Sequence, residues 1–338
     1  MFKFHWLIIM GFSVVLAACS KPEPTVTQQT FYVFGTEVSI LIVDASPAQA
    51  QAAIQAIEQR FQRFHTEWHA WEKGGIVSRI NQAISQGESI EVADSVKKFI
   101  EKTQRLSAQT DYLFDPAIGQ LIKMWGFHGE HWQGPPPSET QRQAWLRSRP
   151  SIKDLYFEDH QLFSRNPDVQ LDFGGNAKGL ALDIAVETLH QAGIQNAMLN
   201  IGGDIKVIGH KPEHQAWSIG IQNPKNPSQA LAKIHAQNGD SIFTSGTYQR
   251  YYTWQDQQFS HIINPNTAWP ADSFASVTVI HSDATTADTA ATALLIAGPQ
   301  HWQRIAHQLG INAVFLVQRN GQIEMTDAMR QRIQMLPH

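Results

Sequence analysis

Residues 171–183 read Leu-Asp-Phe-Gly-Gly-Asn-Ala-Lys-Gly-Leu-Ala-Leu-Asp, which places a strand end, a glycine turn and a helix start in immediate succession. Gly174 and Gly175 let the chain turn tightly, and the helical pattern begins at Ala177. Such a helix start exposes unpaired amides and the positive end of its dipole, both of which favour an anion. Lys178 in that first turn adds a positive charge that the dipole alone would not select, as a bound phosphate would. An ordinary strand-to-helix turn with a solvated lysine fits the same residues. A second set of hard oxygens lies late in the chain. Asp288 and Thr292 are four residues apart in a helical stretch of small residues, so a carboxylate and a hydroxyl share one face. With a carbonyl, water and a substrate phosphate they suit Mg²⁺, whereas an aspartate near a helix start also serves simply as a favourable charge. Trp68 and Trp71, just before Lys73-Gly74-Gly75, offer either a stacking surface for a planar ring or core packing.

The chain opens with an address. Lys3 precedes an apolar run over 6–18 that is too short to span a bilayer and ends in Leu16-Ala17-Ala18-Cys19. This resembles a lipoprotein signal, which implies removal of 1–18 and lipid attachment at Cys19, with 19–29 as a tether containing Pro22 and Pro24. A plain secretory signal with a chance cysteine is the alternative. Cys19 is the sole cysteine, so no internal disulfide can form and packing alone must hold the core.

The elements that must position the polar residues follow from composition and period. Apolar residues make up 42% and charged residues 17% of the chain, with a formal net charge of −4, so there is no basic stripe for nucleic acid. Residues 30–43 read as a β-rich strand pair or one bulged strand. Pro47 opens a helix whose Ile54, Ile57, Phe61 and Phe64 share a face. Further helices are expected over 76–83, around Val96 to Leu106, and over 118–125. Ser138 and Gln141 have capping-box spacing. Hairpins are expected from 152–157 with 162–164, and from 251–254 with 259–263, with His261 at the return of the latter. Strands are expected at 169–173, 197–201, 205–208, 217–221, 234–236, 242–246 and 277–281. The helix 287–297 is expected to be capped by Thr285 or Thr286 and to stop at Gly298-Pro299, and a closing hairpin turns at Asn320-Gly321.

The order of these signals resembles the ApbE-type FAD:protein FMN transferases. The resemblance runs through Phe34-Gly35-Thr36, Phe114-Asp115-Pro116 with Trp125-Gly126-Phe127, 171–183, and Leu199-Asn200-Ile201-Gly202-Gly203-Asp204. It continues through Thr244-Ser245-Gly246, His261-Ile262-Ile263-Asn264-Pro265, and Ser276-Val277-Thr278-Val279 with Ala287-Asp288-Thr289-Ala290-Ala291-Thr292. It implies an α+β fold, ApbE-like and T-fold-related, with antiparallel sheets flanked by helices in one large domain (30–338) holding two core regions. It also implies a periplasmic lipoprotein, normally on the inner membrane, that uses FAD and Mg²⁺ to attach FMN to a Ser or Thr of a partner flavoprotein. Ser20 after Cys19 resembles an outer-membrane sorting signal instead.

By that resemblance Phe34, Trp71, Leu113, Phe114, Asp115, Asp172, Lys178 and Ile263 surround the flavin or its nucleotide. The Gly175 carbonyl, Asp288 and Thr292 hold the metal, and His261 takes a proton. One histidine among 15 is otherwise expected to be a satisfied core residue. The chain departs from the family pattern at Phe34, where methionine is common, at Thr247 and Asn264, where aspartate is common, at Ala268, where glycine is usual, and at Asn176, where an apolar residue is usual. The chemistry implied is displacement at a pyrophosphate with AMP leaving. An Mg²⁺-dependent FAD pyrophosphatase, or a lipoprotein that binds flavin without chemistry, are the other readings.

Overall fold

Val38, Ile40 and Ile42 alternate with Leu41 and Val43 along one strand, and the two sets pack into different apolar clusters. A strand that is apolar on both faces belongs inside a sheet covered on both sides. The computed structural model, which describes residues 25–129 and 132–337, shows that arrangement. Eight strands form one open antiparallel sheet in the spatial order Val26–Val33, Thr36–Val43, Asn196–Ile201, Asp204–Ile208, Ser241–Gly246, Phe274–His281, Ala313–Gln318 and Ile323–Met325. The fold is α+β, as expected.

One face of this sheet packs under the helices Pro47–Trp68, Ala177–Gln191 and Ala284–Gln308. The first helix is capped by Ser46, whose hydroxyl accepts from the Gln49 amide at 3.2 Å. The other face is covered by a small antiparallel sheet of Trp217–Asn223, Asn226–Ala236 and Ile333–Met335. These are two core regions. Two further clusters lie to the side, one under the helices Ile76–Gln86 and Asp94–Gln109, the other around Leu121, Trp125, Trp145, Tyr252 and Phe259. The capping box at Ser138 and Gln141 is present.

Four local expectations change. The first strand starts at Val26, so residues 26–29, expected in the tether, are paired with 40–43. Residues 169–173 are not a strand. Only Gln170 bridges Ile118, and Leu171 instead exchanges hydrogen bonds with the Asn81 side-chain amide, so a side chain takes the place of a neighbouring strand. The hairpin of Tyr251–Trp254 with Gln257–Ser260 ends before His261, and Ile263 belongs to a separate two-residue strand paired with Trp269–Pro270. The late helix is capped by Asp283, whose carboxylate accepts from the Thr286 amide at 2.7 Å, and it resumes beyond a break at Gly298 to reach Gln308.

The predicted signal and Cys19 lie outside the described residues. Among the described residues no helix is long and apolar enough to cross a membrane.

Candidate active site

The helix Ala177–Gln191 starts where residues 171–175 emerge from the core. Asp172 shapes that turn, since its carboxylate accepts from the Gly174 amide at 2.8 Å and from the Trp71 indole at 2.9 Å. A Cβ on Gly175 would sit 2.9 Å from the Phe114 ring, so only glycine allows the ring to lie against the turn. Lys178 forms an ion pair with Asp204, a carboxylate that also accepts from the Thr244 amide at 3.1 Å. Burial opposes the lysine's charge, but the carboxylates of Asp204 and Asp288 outweigh it and hold the ammonium above its usual range.

Gly179 brings the two helix starts together. A Cβ there would meet the Ala284 carbonyl oxygen at 2.6 Å, and its amide donates to Asp288 Oδ2 at 2.9 Å. Asp288 is buried, and its other oxygen has no hydrogen-bond partner among the described residues. Burial pushes its carboxyl up to about 8, and the Asp204 charge adds to this against Lys178 and the Gly179 amide. One turn later the Thr292 hydroxyl lies 2.9 Å from that of Ser245. A second cross-link of reversed polarity stands behind the first, with Asp183 of the same helix 3.9 Å from Lys206 of the same strand as Asp204.

Lys178, Asp204, Ser245, Asp288 and Thr292 line one cavity of ≈ 460 Å³, together with Phe34, Leu113, Phe114, Asp115, Asp172, Gly175, Arg250, His261 and Ile263. Phe34 and Gly35 both have positive φ, which makes the two-residue turn between the first two strands and leans the Phe34 ring on Phe61. Asp115 borders the cavity but spends its carboxylate elsewhere: it accepts from the Ala117 amide at 3.0 Å, the Ile152 amide at 2.9 Å and the Ser151 hydroxyl at 2.5 Å. Burial lifts it to about 6 against these bonds. Its side chain therefore fixes the loop that presents Leu113 and Phe114. Trp71 is not in the wall and reaches it through Asp172.

His261 sits after the hairpin, half-buried, with its backbone N–H and its Nδ1 each 3.0 Å from the Arg250 carbonyl oxygen. A carbonyl only accepts, so Nδ1 carries the proton and Nε2 of the neutral ring keeps its lone pair. Burial, reinforced by the Arg250 guanidinium, lowers the imidazole to about 4, and the ring is neutral at neutral pH.

The cavity wall carries four carboxylates, Asp115, Asp172, Asp204 and Asp288, against two cations, Lys178 and Arg250. No group of three His, Cys, Asp or Glu that could hold a metal occurs among the described residues. The donors present are the free oxygen of Asp288, the Thr292 hydroxyl and the Gly175 carbonyl. That set fits Mg²⁺, which binds few protein oxygens and completes its shell with water and phosphate. The excess of acid and the desolvated Asp288 carboxylate point the same way.

Three of the departures from the family pattern are held by hydrogen bonds. The Asn176 side chain is wholly buried; its amide donates to the Thr103 hydroxyl at 3.1 Å, while its Oδ1 has no partner among the described residues. Thr247 donates to the Phe274 carbonyl at 3.2 Å, and Asn264 caps its turn by accepting from the Asn266 amide at 2.8 Å. Ala268 keeps the positive φ of 53° that glycine would adopt without strain. Sequence reasoning assigned no role to Asp204, Ser245 or Arg250. The motifs Gly202-Gly203-Asp204 and Thr244-Ser245-Gly246 were visible, but their partners are far away in the chain.

A model of the ApbE family matches residues 34–315. The FAD:protein FMN transferase of Rhodobacter capsulatus is 37% identical over 332 residues, which is 97% of this chain, and the chain spans 61% of that relative's length. The FAD:protein FMN transferase of Vibrio cholerae is 27% identical over 315 residues, covering 93% of each chain. The crystal structure of the ApbE protein of Thermotoga maritima superposes with a TM-score of 0.84 at 28% identity, covering 91% of this chain and 99% of that one.

Proposed function

The chain belongs to the ApbE family, and on that premise we propose that it is an FAD:protein FMN transferase, which moves FMN from FAD to a serine or threonine hydroxyl of a partner flavoprotein and releases AMP. The observation that carries the reading is the fixed tautomer of His261, which leaves the Nε2 lone pair of a neutral imidazole in the wall of the cavity that also holds Lys178 and Asp288.

The chain's residues divide the work. Phe34, Leu113, Phe114 and Ile263 give the apolar part of the cavity that receives the flavin or its nucleotide, and Asp172 holds the glycine turn through Gly174 and Trp71. Nε2 of His261 removes the proton from the acceptor hydroxyl as its oxygen forms a bond to the FMN phosphorus. The P–O bond to AMP breaks, and AMP leaves with the electron pair. Lys178 and the amides of the helix start offset the charge on the phosphate oxygens. Asp288, Thr292 and the Gly175 carbonyl would hold Mg²⁺, which supplies Lewis-acid neutralisation of the diphosphate when bound. The reading includes a lipid anchor at Cys19 that keeps the enzyme at the periplasmic face of the inner membrane.

Incubating the purified protein with FAD and Mg²⁺, with and without a candidate acceptor, tests the reading. Covalent flavin on the acceptor supports transfer. Free FMN plus AMP at the same rate in both reactions identifies a pyrophosphatase, and unchanged FAD identifies a flavin-binding protein.

A further inference from the structure

Arg250 lines the cavity yet makes no ion pair and donates no side-chain hydrogen bond among the described residues. The other cation in the wall, Lys178, shares its charge with Asp204 and lies under the influence of Asp288. A cavity whose wall carries more carboxylates than cations repels a dinucleotide diphosphate unless some positive charge remains free to meet it. Arg250 is the side chain in that wall with a free positive charge.

Its main chain is equally constrained. The Arg250 carbonyl accepts both the backbone N–H and the Nδ1–H of His261, so the guanidinium and the base stand on one hydrogen-bonded unit. The hairpin Tyr251–Trp254 with Gln257–Ser260 leaves at Arg250 and returns at His261, which closes the unit covalently. An anion met by the guanidinium is therefore bound from the same hairpin base that carries Nε2. A planar guanidinium also offers paired N–H donors to two oxygens of one phosphate, which a lysine cannot match.

We propose that Arg250 binds the diphosphate of FAD, fixing the FMN phosphoryl beside His261, as a second cationic contact distinct from Lys178. The proposal rests on the transferase reading for its substrate, and it adds a specificity element: the site selects flavins that carry phosphate. The guanidinium recognises charge and the apolar wall recognises the ring, so the two contributions separate experimentally.

The test uses the full-length protein and three probes, FAD, ADP and riboflavin, with affinities measured by flavin fluorescence or calorimetry. Arg250→Ala is expected to weaken FAD and ADP by about tenfold or more while leaving riboflavin within about twofold, because a charge-assisted contact is lost and no apolar contact is touched. Arg250→Lys is expected to recover part of the FAD and ADP affinity. Unchanged FAD and ADP affinities in Arg250→Ala overturn the proposal. An equal loss for riboflavin does so too, since it marks a structural role. If circular dichroism shows Arg250→Ala unfolded, Arg250→Gln decides by the same criteria. A wild-type enzyme that binds FAD but labels no acceptor overturns the transferase reading alone, because the three affinities still report on Arg250.

Discussion

The Gly179 amide donates to Asp288 Oδ2 at 2.9 Å, where the starts of two helices meet so closely that a methyl group on Gly179 would lie 2.6 Å from the Ala284 carbonyl oxygen. This contact joins the start of the helix Ala177–Gln191 to the proposed metal ligand. Gly179→Ala is therefore expected to force the helices apart, lowering stability by about 1–3 kcal/mol and reducing Mg²⁺-supported transfer. Urea unfolding and a magnesium titration of the rate check both effects. A variant as stable and as responsive to Mg²⁺ as the wild type contradicts the reading.

Asp288→Ala is expected to abolish Mg²⁺-dependent turnover with the fold retained, because the lost carboxylate is a proposed ligand at the edge of the cavity. Circular dichroism and Mg²⁺-dependent AMP release are the measurements. Retained Mg²⁺ dependence would place the metal elsewhere.

His261→Ala is expected to leave FAD affinity nearly unchanged and to slow transfer by about a hundredfold or more, the range of a positioned general base. The folded imidazole is lowered from 6.5 to about 4, so the base is already deprotonated through the neutral range. The acidic limb of kcat/KM should accordingly fall near pH 4 and not near 6.5. A variant that fails to bind FAD removes His261 from this role.

Asp115 is expected to matter for stability more than for chemistry. Asp115→Ala strands two buried amides and a hydroxyl, at a cost on the order of 3 kcal/mol. The carboxyl is raised from 3.8 to about 6 in the folded state, so its contribution is fullest below pH 3.8 and is lost as the pH rises through 6. Asp115→Asn should flatten that slope in unfolding measurements across the window, and an unaltered slope assigns the pH dependence to other groups.

Cys19→Ser is expected to move the protein from the membrane fraction to the soluble periplasmic fraction, since a single residue is proposed to carry the lipid. Continued sedimentation with membranes locates the anchor elsewhere.

The sequence alone determined what depends on near neighbours. Period and capping disclosed the helix that opens at Pro47, the capping box at Ser138, and the glycine turn that puts Lys178 at a helix start. These are settled by backbone geometry within a few residues, so they can be read in one dimension. The motif order also brought out the α+β class and placed Asp288 and Thr292 one turn apart. Tertiary structure decided the rest, because the decisive partners are remote in the chain: Lys178 and Asp204 are 26 residues apart, Ser245 and Thr292 are 47, and Gly179 and Asp288 are 109. It also turned 169–173 from an expected strand into a segment held by the Asn81 side chain, and moved His261 off a strand onto the Arg250 carbonyl. Strand propensity tells which residues favour an extended backbone, but hydrogen-bond partners are assigned by what the folded chain brings alongside, and that choice has no local signal.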